Sequence, residues 1–234
     1  MHKLRATLIL ICVIAALTLC LHADDSRSAG SVFYSFFTDE KVIALTFDDG
    51  PHKYRTNEIL DILSENDVKA TFFVVGVMAE EYPDVIRRTL AEGHEIGNHT
   101  YNHSKMKKLS AEKLKYELER TEEVLFEICE YRPKLFRPPE GWCSDSIASA
   151  AGELDYDVIL WNIDTLDWAH NEVGKICECV STGIRPGSII LFHDYVSGDS
   201  STVDALKLLI PELKADGYRF VTVSELINMH RGMT

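Results

Sequence analysis

The sequence predicts an α/β fold, a single-domain barrel of the (β/α)7 type with parallel strands inside and helices outside. Three observations carry this expectation. From residue 41 onward, short β-branched apolar runs alternate with amphipathic segments of helical period, and seven strand candidates suggest a barrel. The chain has 234 residues and no long linker, internal repeat or low-complexity tract, which suits one core. The first strong apolar run ends in Asp48-Asp49 and is stopped by Gly50-Pro51. Two acids therefore stand at a strand's C-terminal edge, where α/β folds place their chemistry.

Taken in order, the chain starts with a targeting segment. Met1 to Arg5 is basic and residues 8–21 are almost wholly apolar, an n-region followed by an h-region. Cleavage near Ala23 is the first reading of residues 1–23. Leu21, three places before that cut, is not small, so retention as an N-terminal membrane anchor is the alternative. Either reading puts the domain outside the cytoplasm, secreted or held at the outer face of the membrane. Residues 24–39 read as a tether and 40–230 as the domain. Strands are expected at 42–47, 70–75, 95–97, 135–137, 157–161, 188–192 and 219–223. Helices are expected at 57–65, 82–91, 111–129, 144–151, 172–182 and 203–215, with Ser110 as an N-cap.

An apolar content of 46% argues against disorder. The formal net charge is -13, and loss of Lys3 and Arg5 with a cleaved leader takes it to roughly -15. Such a surface excludes nucleic acid as a partner, because phosphate binding needs a basic patch. Cys12 and Cys20 fall in the leader. Cys129, Cys143, Cys177 and Cys179 read as buried thiols or as one or two disulfides, and the Cys177-Glu178-Cys179 spacing does not suit a zinc ribbon.

Two adjacent carboxylates repel unless a cation sits between them or one takes a proton, which suggests one metal-bound acid and one working acid. His99 and His103 lie four residues apart, and on a helical turn they would share a face and chelate one ion. With Asp49 the set becomes two histidines and one carboxylate, a pattern suited to a catalytic zinc or another divalent ion. Three more polar clusters follow predicted strands: Phe136 to Trp142, Trp161 to Trp168, and Ile189 to Asp194. Each alone reads as a turn, a core edge or a structural histidine. Five clusters at five strand ends do not read as coincidence.

The set resembles the polysaccharide deacetylases, the NodB-homology fold of carbohydrate esterase family 4, over about residues 40–230. The residues that carry the resemblance are Thr46–Gly50, His99–His103, Arg137–Gly141, Asp164–Trp168 and Leu191–His193, in the family's order. The resemblance implies a distorted form of the barrel. It also implies a divalent metal, usually zinc with cobalt or nickel able to serve, held by Asp49, His99 and His103. Asp48 would be the general base and His193 the general acid. Asp167 would orient His193, and Arg137 would pair with Asp48. The backbone N–H of Glu140 would stabilise the oxyanion, Leu191 and Trp168 would line the pocket for the acetyl methyl, and Asp164 would stabilise its loop.

Where many members carry Tyr, this chain has Glu140, which leaves a backbone donor intact and adds a negative charge to the groove wall. The resemblance implies an N-deacetylase acting on a β-1,4-linked N-acetylhexosamine polymer, with peptidoglycan the first expectation. Chitooligosaccharides or an O-acetylated xylan are the alternatives, and a non-catalytic glycan-binding protein is the reading from another class. His52 and Tyr54 follow the first motif as either substrate contacts or solvated loop residues. His94 and His170 have no pattern that lifts them above structural roles.

Overall fold

Residues 42–48 are apolar almost without interruption, and in the computed structural model they form a strand buried along its whole length. The structure describes residues 30–169, 171–198 and 200–232, so the leader, the first part of the tether (24–29) and His170 lie outside the described residues. Nine strands occur in chain order: β1 (Val32–Phe33), β2 (Val42–Asp48), β3 (Thr71–Val74), β4 (Glu95–Asn98), β5 (Leu135–Phe136), β6 (Asp157–Ile159), β7 (Ile163–Asp164), β8 (Ile189–His193) and β9 (Arg219–Phe220). The helices between them are α1 (Arg55–Glu65), α2 (Gly76–Glu81), α3 (Pro83–Ala91), α4 (Ala111–Cys129), α5 (Asp145–Gly152), α6 (Val173–Gly183), α7 (Thr202–Ala215) and α8 (Val223–Arg231).

The sheet runs β1-β6-β5-β4-β3-β2-β8-β7, with β9 beside the start of β2, and every strand pairing in it is parallel. Helices α1 to α7 cover its outside, and the largest apolar cluster lies between them and the strands, around Phe47, Phe72, Phe192, Leu60 and Leu206. The expected α/β barrel is thus present in its distorted form: β1 and β7 are free edges, and the sheet curves as a half-barrel. Strands β1 and β7 are two residues long, too short to show as a periodic run.

Two boundaries differ from expectation for local reasons. The segment expected as one helix at 82–91 follows a separate helix, because Tyr82 leaves helical backbone and Pro83 opens the next at its first position. The strand expected at 219–223 stops at Phe220, and Thr222 caps α8 by a reciprocal capping box with Glu225. Ser110 caps α4 as expected, accepting from Lys113 N. The four described cysteines are free and half-buried, which settles for thiols.

Candidate active site

The C-terminal ends of the parallel strands carry the chemistry. β2 delivers Asp48 as its last residue, 3% exposed, and the chain then turns through Asp49 at φ 77°. The next strand across, β8, ends at His193 in register with Asp48. Asp194 follows and acts as a latch: its N–H donates to Asp48 O (3.1 Å), its Oδ1 accepts from Gly50 N (2.8 Å) and its Oδ2 from Thr56 Oγ1 (2.6 Å). A Cβ on Gly50 would lie 2.0 Å from Asp194 Oδ2, so only glycine admits this closure. Burial pushes the Asp194 carboxyl up to about 7 against the opposing pull of Thr56.

The two acids have different partners. Asp48 Oδ1 accepts from Arg137 Nη1 at 2.8 Å. Arg137 is wholly buried and fixed on every side: Nη1 also donates to Thr46 Oγ1 (2.7 Å), Nε to Ile159 O and Nη2 to Leu160 O (3.1 Å each). Its guanidinium lies 4.1 Å from the centre of the Phe73 ring. Burial lowers the guanidinium's pKa, and Asp48 opposes that shift.

Asp49 instead faces the histidines. Its Oδ1 stands 3.3 Å from His99 Nε2 and 3.1 Å from His103 Nε2. Burial alone would raise the Asp49 carboxyl, but His103 and His99 outweigh it and hold the group well below the usual carboxylate range. His99 Nδ1 lies 2.7 Å from Arg137 O, a carbonyl that can only accept, so that nitrogen carries the proton and Nε2 presents a lone pair. Asp49 Oδ1 is buried without a hydrogen-bond partner. Three ligand atoms within 4.8 Å of one another, two of them imidazole nitrogens and one an unsatisfied carboxylate oxygen, fit a divalent cation.

The expectation that these histidines share a helical face is overturned. Residues 99–105 form a non-helical loop with left-handed backbone at Thr100 (φ 67°) and His103 (φ 50°), and this path folds His103 back toward Asp49. Asn98 Oδ1, accepting from Thr100 N, holds the first turn (2.9 Å).

Asp167 is fully buried and accepts three bonds: His193 N and His193 Nδ1 at 2.8 Å each, and Thr202 Oγ1 at 2.6 Å. Burial alone would lower the His193 pKa; the Asp167 contact reverses this and raises it to about 9. Glu140 sits in a tight turn at Pro139–Gly141 with φ 57°, and among the described residues no acceptor takes its N–H. Asp164 Oδ1 accepts from Leu166 N at 2.9 Å and holds the loop as expected.

Asp48, Asp49, His99, His103, Glu140, Trp168, Leu191 and His193 all line one pocket of about 450 Å³, with Trp161 and Asp164 completing it. Arg137 and Asp167 stand behind the wall and support it. Sequence reasoning missed Thr56 and Thr202, which sit in the first turns of α1 and α7, and the latch role of Asp194 after β8, all polar groups whose partners are remote in sequence.

Fold and site together define the class: a half-barrel hydrolase whose pocket groups two imidazoles and one carboxylate able to hold a divalent metal. The chain belongs to the polysaccharide deacetylase family, whose model matches residues 37–159. It is 42% identical over 200 residues, 85% of this chain and 93% of the other, to a peptidoglycan-N-acetylglucosamine deacetylase of Bacillus cereus. A peptidoglycan N-acetylglucosamine deacetylase solved in complex with 4-naphthalen-1-yl-N-oxidanyl-benzamide superposes with TM-score 0.81 at 38% identity, covering 86% of this chain and 94% of that one. A family 4 acetyl xylan esterase from Clostridium thermocellum, holding a cobalt ion, gives 0.74 at 36% identity over 81% of this chain and 91% of that one.

Proposed function

We propose that this protein is a secreted, zinc-dependent N-deacetylase acting on the N-acetylhexosamine chains of peptidoglycan. The observation that carries the reading is the division of labour between adjacent acids, Asp48 on Arg137 and Asp49 on two histidines. The peptidoglycan deacetylases among its relatives support the substrate, and the basic and apolar start of the chain supports export. Cobalt or nickel are the other ions the ligand set suits.

The reaction adds water to the acetamide carbon, breaks the C–N bond and releases acetate and an amine. Asp49, His99 and His103 would hold the divalent ion, which would polarise the carbonyl and acidify water when bound. Asp48, positioned by Arg137, accepts the proton of the attacking water. The Glu140 N–H donates to the carbonyl oxygen as it gains charge, a contribution of about 3 kcal/mol. His193, kept as imidazolium at neutral pH by Asp167, gives its Nε2 proton to the departing nitrogen. Leu191 and Trp168 enclose the acetyl methyl and keep bulkier acyl groups out.

Acetate release from N-acetylated peptidoglycan, chitooligosaccharides and acetylated xylan, with and without a chelator, tests this reading. Chelator-sensitive release from peptidoglycan is expected. Release only from xylan favours the O-deacetylase alternative, to which the xylan esterase similarity points. Chelator-resistant release defeats the metal mechanism, and no release from any glycan, with metal bound, favours a binding protein.

A further inference from the structure

The loop that leaves the acid pair, the loop that leaves His193 and the junction between α2 and α3 bring together four rings that the reaction does not use. His52 stacks on Tyr195 with ring centres 5.4 Å apart and an interplanar angle of 22°. Tyr54 and Tyr82 pack against the same imidazole at 6.1 and 6.3 Å. Tyr54 is 65% and Tyr195 39% exposed, so this is a surface cluster and not a core. Its position is fixed by the latch already described: Asp194, one residue before Tyr195, accepts from Gly50 N, two residues before His52. His52 and Tyr195 are therefore carried on the edge of the catalytic face, three residues from Asp49 and two from His193, and Tyr82 joins them from the junction between α2 and α3.

The cluster also has directed polarity. His52 Nδ1 accepts from Tyr54 N (3.4 Å) and Arg55 N (3.2 Å), so the ring proton resides on Nε2. Among the described residues no acceptor takes that Nε2–H. Lys53 lies over one face of Tyr54, 5.4 Å from its centre, and the ring stays largely exposed. Flat apolar faces bordered by hydroxyl groups and one fixed N–H donor match a pyranose ring, which offers C–H faces and hydroxyl edges.

We propose that His52, Tyr54, Tyr82 and Tyr195 form an accessory sugar subsite that holds a neighbouring hexosamine ring of the polymer while another occupies the catalytic pocket. This rests on the glycan reading above and adds to it a dependence on chain length. Tyr195 is the main stacking face, and His52 orients it.

The test uses N-acetylated chitooligosaccharides from dimer to hexamer, with steady-state kinetics and calorimetric binding of the hexamer. Wild-type kcat/KM should rise with length. Tyr195→Ala should raise KM for the hexamer about tenfold, with little change in kcat, and the loss should shrink toward the dimer. Tyr195→Phe, which keeps the ring, should retain most of the affinity. Tyr116→Ala, at an exposed ring on α4, is the control for surface truncation. An equal loss at every length, or a fall in kcat alone, would assign Tyr195 a structural role and overturn the proposal, as would unchanged hexamer binding. If wild type binds the hexamer without releasing acetate and Tyr195→Ala abolishes that binding, the subsite stands and chitooligosaccharides are removed as the substrate, while the deacetylase reading is decided separately by acetate release from peptidoglycan.

Discussion

At the base of the barrel, where helices end and strands begin, three lysines are bonded to helix-end carbonyls. Lys41 Nζ reaches Asp216 O (2.8 Å), Lys69 Nζ reaches Glu92 O (2.7 Å) and Lys214 Nζ reaches Asn66 O (2.6 Å). Each puts a cation on the negative end of a helix and pairs an orphan carbonyl. At the opposite face Asp49 Oδ1 is buried without a hydrogen-bond partner, beside the Asp48–Arg137 and Asp167–His193 pairs. Left-handed non-glycine backbone divides the same way. Asp67, Glu130 and Asp155 follow helices at the base, and Glu130 N closes α4 onto Phe126 O at 2.8 Å. Asp49, Thr100, His103, Glu140 and Leu166 follow strands at the catalytic face. One conformation ends helices at the base and aims ligands and donors at the top, so strain there accompanies chemistry.

Substitutions can break this contrast, and the largest effect is expected at Arg137. Arg137→Ala strands the buried Asp48 carboxylate and should cost about 3–5 kcal/mol in denaturant unfolding. A loss below 1 kcal/mol would show that the acid is not tied to the fold. Asp194→Ala leaves Gly50 N and the Thr56 hydroxyl proton without an acceptor, and should destabilise by about 2–3 kcal/mol and lower activity, measured together by melting and acetate release.

The effect of Asp167→Asn is read in the pH profile. In the proposed mechanism His193 acts in its protonated form, and its folded pKa is raised to about 9, so activity should hold through neutral pH and fall as pH rises past that value. Without the carboxylate the folded pKa drops, so the alkaline limb should move to lower pH. An unmoved limb would remove His193 as the acid. The smallest effect belongs to the base: Glu130→Gly should stabilise by about 0.5–1 kcal/mol and leave turnover unchanged, since only helix closure uses that conformation.

Much of this division could be read from sequence. The long central strands announced themselves as apolar runs, because a parallel strand is buried on both faces, and the acids and histidines at their ends followed. The candidate metal ligands were legible from the His99/His103 spacing although the backbone was not: a loop with two left-handed residues leaves no periodic trace. The α8 start carried an available signal in Thr222 and Glu225, overridden by the β-branched look of 219–223. The Asp194 latch and the His52–Tyr195 stack depend on contacts more than 130 residues apart in the chain, which no local pattern encodes.

The most direct measurement is metal content alongside acetate release in two purified variants, Asp48→Asn and His99→Ala. If the adjacent acids have separate tasks, Asp48→Asn keeps one divalent ion per chain and loses most turnover, at least about 100-fold, while His99→Ala loses the ion itself. Wild-type turnover in metal-loaded Asp48→Asn, or a full complement of metal in His99→Ala, would contradict that division.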